Sequence, residues 1–128
     1  APNLNIEVIQ MGNRYGIPVM PGIGTVTELI TAMEAGADVV KAFPGSVLKP
    51  AFIKSLKGPV PQARAIPVGG VAADNLIEWL EAGAYALGLG AGLTHPGGSC
   101  EDAGAIKENA ARILKIVEDE RRRRANNG

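Results

Sequence analysis

One cysteine, Cys100, and one histidine, His95, stand among 128 residues. A single thiol can neither close an intramolecular disulfide nor build a cysteine-based zinc site, so no disulfide framework holds this chain together. Neither sign of charge is in excess: 13 Lys and Arg balance 13 Asp and Glu. A chain without net charge lacks the basic field of a dedicated nucleic-acid or anionic-membrane binder. No apolar run approaches the ~18–20 residues that a membrane span requires. The opening residues Ala1-Pro2-Asn3 show neither the basic region nor the apolar segment of a secretory signal. These absences set the expectation of a cytoplasmic protein with no nucleic-acid or membrane partner.

What is present is globular: 46% apolar and 20% charged residues. The length suits one domain over residues 1–128, with 94–128 a loop and C-terminal helix. It is also about half of a (β/α)8 barrel of ~250 residues. Short apolar runs at 17–20, 38–43, 63–68 and 84–89 are each followed by Gly, Pro or both and predict strands. Helical patterns fill 4–15, 25–35, 50–56, 74–82 and 103–123. Their apolar faces are read as Ile6, Val8, Ile9 and Met11, then Leu29, Ile30 and Met33, then Leu76, Ile77, Trp79 and Leu80, then Ile106, Ala110, Ile113, Leu114 and Val117. Thr25 or Thr27 is the expected cap of the second helix and Asp74 that of the fourth, and Pro50 suits a first helical turn. Glu34-Ala35-Gly36-Ala37 recurs as Glu81-Ala82-Gly83-Ala84, and the same offset of 47 aligns Gly22 with Gly69. This suggests a βαβα unit used twice, although such a segment also suits any helix that ends before a strand. Strands joined by helices imply a parallel sheet, either a barrel or an open doubly wound sheet.

In either fold the loops after the strands carry function. Four are readable: Pro21-Gly22-Ile23-Gly24, Pro44-Gly45-Ser46, Gly69-Gly70-Val71 and Gly90-Ala91-Gly92. Glycine-rich loops expose backbone N–H groups that can cradle a phosphate, so Gly69, Gly70, Gly90, Ala91 and Gly92 are candidates. Tight turning is the structural alternative.

The most informative residue is Lys41, within Val39-Val40-Lys41-Ala42-Phe43. Strand alternation places Val39, Lys41 and Phe43 on one face. In a packed barrel interior a lysine loses hydration and its pKa falls, and a neutral amine attacks carbonyls to form a Schiff base. The competing reading is a lysine whose head reaches solvent or pairs with a carboxylate. His95 is expected as a surface loop residue and Cys100 as an ordinary loop thiol. Lys49, Lys54 and Lys57, the helical Glu28, Glu34, Glu78 and Glu81, and Arg121–Arg124 are expected as solvated groups.

The chain resembles the KHG/KDPG aldolase family, named for 2-keto-3-deoxy-6-phosphogluconate (KDPG). The residues that carry the resemblance are Ile17-Pro18-Val19-Met20-Pro21-Gly22-Ile23-Gly24-Thr25, Val40-Lys41-Ala42-Phe43-Pro44-Gly45, Phe52-Ile53-Lys54-Ser55-Leu56-Lys57-Gly58-Pro59, Pro67-Val68-Gly69-Gly70-Val71, and Asn75-Leu76-Ile77-Glu78-Trp79 with Ala82-Gly83 and Gly88-Leu89-Gly90. The resemblance runs from about Ala1 to Leu93. It implies a class I aldolase on a TIM barrel, a trimer that needs neither metal nor cofactor. Lys41 takes the place of the Schiff-base lysine. Gly69, Gly70 and Gly90-Ala91-Gly92 take the place of the phosphate loops, with Pro21, Gly22, Phe43 and Val68 beside the substrate. That substrate is a phosphorylated keto acid, cleaved to pyruvate and glyceraldehyde 3-phosphate. Val68 stands where the family usually has Thr, as in the branch that acts on the galactonate-derived substrate, and Ala91 stands where a Ser is common. The family's acid/base Glu, and the Arg and Thr that hold the pyruvate carboxylate, lie upstream of the matching segments. The chain thus corresponds to strands five to eight. Two other readings are a non-catalytic half-barrel that binds phosphate or a partner, and a phosphosugar isomerase.

Overall fold

The computed structural model describes residues 1–96 and 103–127; Cys100 lies outside the described residues. In chain order the elements are α1 (Ile6–Arg14), β1 (Gly22–Ile23), α2 (Val26–Glu34), β2 (Val40–Ala42), α3 (Gly45–Leu56), β3 (Ala65–Pro67), α4 (Leu76–Glu81), α5 (Ala91–Thr94) and α6 (Ala103–Asn127). The sheet is parallel, in the order β1-β2-β3. Gly22 lies opposite Lys41, and Lys41 opposite Ile66. Beyond β3 the pairing continues as one parallel bridge, Val68 to Gly88. The result is a mixed α/β architecture in which helices alternate with a small parallel sheet. Among the described residues, no helix is long and apolar enough to cross a membrane.

Several expected boundaries move. The first strand forms at 22–23 rather than 17–20. Pro18 and Pro21 have no N–H to donate to a ladder, and pairing with β2 starts where the Pro21 carbonyl accepts from the Lys41 N–H at 2.8 Å. The fourth run, 84–89, is reduced to its single bridge, with Tyr85 and Gly88 donating to the carbonyls of Ala65 and Pro67. Helix α3 begins five residues before the expected 50–56. An initial turn breaks at Lys49 (φ 62°, ψ 164°), because the ring of Pro50 excludes the helical region for the residue before it. Asn75, not Asp74, precedes α4, while α5 occupies what reads as a loop and α6 runs past 123.

Alternation sorts the strand residues. Ile23, Val40, Ala42, Ala65 and Pro67 are buried. With Leu29 and Ala32 of α2, Ile53 and Leu56 of α3, and Leu76 and Trp79 of α4, the apolar ones form one core. Fully burying such a side chain contributes roughly 1.5–3 kcal/mol. Lys41, Phe43, Ile66 and Val68 are half-buried, so the second face of the sheet is less covered. Parts of the expected helical faces lie outside this core. Ile6, Val8 and Met11 of α1, Ile30, Ile77 and Leu114 are all exposed, Leu114 by 62%. In α1 Ile9 and Gly12 are the buried positions.

The recurring Glu-Ala-Gly-Ala segments close their helices in the same way. Gly36 N–H donates to Met33 and Ala37 N–H to Ala32; Gly83 N–H donates to Leu80 and Ala84 N–H to Trp79. Each pair is the double bond pattern that satisfies the last carbonyls of a helix at a left-handed residue.

Candidate functional site

In a parallel sheet the segments leaving each strand emerge at one end, and here close backbone approaches bring them together. Gly24 lies near the Phe43 carbonyl. A Cβ added to Gly45 would sit 2.5 Å from the Gly69 carbonyl oxygen, and one on Gly70 would sit 2.9 Å from Ser46 Cβ. One on Gly92 would run into the Val71 carbonyl. The four glycine loops read from the sequence therefore form a contiguous rim.

Lys41 and Phe43 share a face at this rim, as alternation predicts. The Lys41 ammonium lies 4.4 Å from the centroid of the Phe43 ring, within the range of attraction to an aromatic face. The side chain is half-buried, not enclosed in a packed interior as the barrel reading expects, because the second sheet face is only partly covered.

The paired glycines adopt left-handed backbone, with φ of 88° at Gly69 and 74° at Gly70, a region that favours residues without a Cβ. Among the described residues their N–H groups donate to no protein acceptor. Val68, before them, is half-buried. Gly90 and Ala91 are exposed at the start of α5. Pro21 and Gly22 are placed differently. Both are buried in or beside β1, and the Gly22 N–H is committed to the Asn3 carbonyl at 3.0 Å. They shape the first strand and offer no free N–H.

Four groups read as solvated have structural duties. Glu28 is half-buried and accepts from the Gly24 N–H at 2.8 Å and the Thr25 hydroxyl at 3.0 Å, while Thr25 Oγ1 caps the Glu28 N–H in return. The Gly24 N–H holds the Glu28 carboxyl below its ordinary pKa. Lys57 Nζ donates to the Ala63 carbonyl at 2.6 Å and ties the end of α3 to the segment before β3. Arg123 and Arg124 grip the buried carboxylate of Glu120 at 2.8 Å each, and Arg123 also reaches Glu81 on α4 at 3.0 Å. His95 is half-buried, its Nδ1 2.7 Å from the Thr94 hydroxyl. It borders a cavity of about 180 Å³ shared with Asn109 and Arg112.

Two asparagines hold the loops in ways that the sequence reading did not assign, Asn75 having entered it only as part of a matching segment. Asn75 Oδ1 accepts from the Ala72 N–H at 3.0 Å, and its Nδ2 donates to the Gly70 carbonyl at 2.8 Å. Buried Asn109 of α6 donates to the carbonyls of Gly92 and Leu93, at 2.9 Å each. The spacing of Asn75 from the paired glycines was a usable signal, since asparagine bonds local backbone at turns. Nothing local marks Asn109, whose acceptors lie 16 and 17 residues earlier.

A parallel α/β body with a lysine and left-handed glycines at the C-terminal ends of its strands has the architecture of the broad class of folds built from βα units. Within that class the match is specific. The KDPG and KHG aldolase family model covers residues 1–115, and the chain belongs to that family. It is 46% identical to the 2-dehydro-3-deoxy-6-phosphogalactonate aldolase of Escherichia coli over 92% of this chain and 57% of that protein. It is 36% identical to the 2-dehydro-3-deoxy-phosphogluconate aldolase of Treponema pallidum over 62% of this chain and 39% of that protein. A solved structure described as native KDPGal superposes with a TM-score of 0.83 at 38% identity, over 93% of this chain and 57% of that one. The chain thus spans little more than half the length of its galactonate-type relative.

Proposed function

We propose that this chain is the lysine-bearing part of a Schiff-base aldolase that cleaves a 2-keto-3-deoxy-6-phospho sugar acid to pyruvate and glyceraldehyde 3-phosphate. The observation that carries this reading is Lys41, whose ammonium stands beside Phe43 at a rim of four glycine loops. Its free amine attacks the C2 ketone and, with loss of water, forms an iminium. The iminium accepts the electron pair of the breaking C3–C4 bond as the C4 hydroxyl gives up its proton and becomes the aldehyde. Protonation of the resulting enamine at C3, then hydrolysis, releases pyruvate and restores Lys41. Gly69, Gly70, Gly90 and Ala91 would hold the phosphate through backbone N–H groups, with Phe43 and Val68 beside the sugar chain.

The wider coverage and higher identity with the galactonate-type relative, together with Val68 before the paired glycines, favour the galactonate epimer. In this reading the four βα segments are strands five to eight of a (β/α)8 barrel, in a single domain, and the whole protein is a cytoplasmic homotrimer without cofactor. The acid/base role goes to a carboxylate other than Glu28, which already binds Gly24 and Thr25. That commitment also favours one alternative, a non-catalytic body that binds phosphate or a partner.

The test is incubation with pyruvate and borohydride, followed by intact-mass and peptide analysis. A reduced pyruvyl adduct on Lys41, absent from K41A, is the expected result. No adduct, or an adduct elsewhere, refutes the aldolase reading and leaves the binding alternative.

A further inference from the structure

We infer that Asn75 is a positioning residue of the glycine loop, one that locks the direction in which the loop presents its backbone. The inference rests on the proposed phosphate role of Gly69 and Gly70. Two successive glycines with positive φ impose little steric barrier to rotation of the peptide that follows them. A flip of the Gly70–Val71 peptide would reverse the directions of its carbonyl and its N–H, and a carbonyl dipole turned toward a bound anion repels it. Asn75 opposes that flip from both ends. Its Nδ2 donates to the Gly70 carbonyl at 2.8 Å, and its Oδ1 accepts from the Ala72 N–H at 3.0 Å. One planar amide thereby fixes the two consecutive peptides 70–71 and 71–72. In a trans peptide the N–H points opposite to the C=O, so drawing the Gly70 carbonyl onto Asn75 turns the Val71 N–H away from it.

Asn75 is itself held in place. It sits directly before α4, and the next residue, Leu76, is fully buried. Its side chain makes no capping bond to α4, so both of its bonds go to the loop. The Gly70 backbone also packs against Ser46 at the start of α3. The loop is therefore fixed between α3 and a single side-chain amide.

The experiment measures inorganic phosphate binding by NMR titration for wild type, N75A and N75S, and pyruvate trapping on Lys41 alongside. Serine offers Ala72 a neutral acceptor but is too short to reach Gly70 at the same time, so N75S decides the matter if N75A does not fold. Expected is a phosphate Kd raised about tenfold in both variants, the equivalent of one hydrogen bond near the top of its range. The yield of pyruvate adduct should fall far less, because pyruvate carries no phosphate. Folded variants that bind phosphate as tightly as wild type overturn the clamp and leave the phosphate loop standing. Equal losses of phosphate binding and trapping also overturn it, in favour of general loosening. A wild-type chain that binds no phosphate overturns the loop assignment and the clamp together.

Discussion

Replacing Gly45 by Ala tests how closely α3 is seated on the glycine loop. The new Cβ would lie 2.5 Å from the Gly69 carbonyl oxygen, 3.2 Å from that of Val68 and 3.5 Å from the ring of Trp79. Restoring an ordinary 3.4 Å contact to Gly69 requires a shift of about 0.9 Å. The obstacle is backbone with left-handed φ on one side and a buried indole on the other, so no flexible side chain can yield. Overpacking of this kind costs ~1–3 kcal/mol. The shift also stretches the 2.8 Å bond from Gly45 N–H to the Val68 carbonyl, worth another ~0.5–1.5 kcal/mol. The expected loss is therefore ~1.5–4.5 kcal/mol, read in urea as a lower midpoint at unchanged slope. The comparison variant is G58A: Gly58 is exposed, and a Cβ there meets nothing nearer than 3.8 Å. It should lie within ~0.5 kcal/mol of wild type. If G45A matches G58A, the close seating of α3 on the loop is wrong.

The remaining predictions concern charge and backbone. Hydrogen bonds from Arg123, then Arg124, lower the Glu120 carboxyl from 4.5 to about 2. A depressed folded pKa contributes stability that is complete above about 4.5 and is lost as pH falls toward 2. E120Q should flatten the acid limb of a plot of Tm against pH over that window; an unchanged limb would refute the assignment. Lys49 has a φ of 62° and ψ of 164°, a region that costs a residue with a Cβ ~1–3 kcal/mol. K49G should raise stability by ~0.5–2 kcal/mol after the extra chain entropy of glycine, whereas K49A should leave the midpoint near wild type.

The chemistry of the rim was more legible than its shape. Lys41 in an apolar run, Phe43 two residues on and the paired glycines after the third run are local patterns. Strand alternation and the needs of tight backbone suffice to place them. The two helix ends before Ala37 and Ala84 were readable for the same reason, because a left-handed terminal residue is a short-range requirement. Strand extent was not readable. Whether 17–20 or 84–89 joins a ladder depends on the neighbouring chain, and a parallel ladder is built wholly from distant partners. The exposed Ile6, Val8, Met11 and Leu114 mislead for a related reason, since periodicity reports an apolar stripe but not which part of it is covered.

Charged residues show the same limit in side-chain form. Glu28, Lys57, Arg123 and Arg124 look like ordinary solvated groups, yet the first two hold backbone and the last two neutralise a buried carboxylate. Asn109 is the extreme case, joining α6 to the fourth loop across the chain.

By itself, the sequence determined the alternation of apolar runs with helices, the parallel class, the lysine and the loops in which chemistry could sit. Those properties follow from spacing within a few residues. Tertiary structure alone decided that the four loops touch, that Lys41 stands over Phe43 half-exposed, and that Asn75 sets the direction of the glycine loop. Each of these depends on how separate segments approach one another, and burial and hydrogen bonding across such distances leave no periodic trace in the chain.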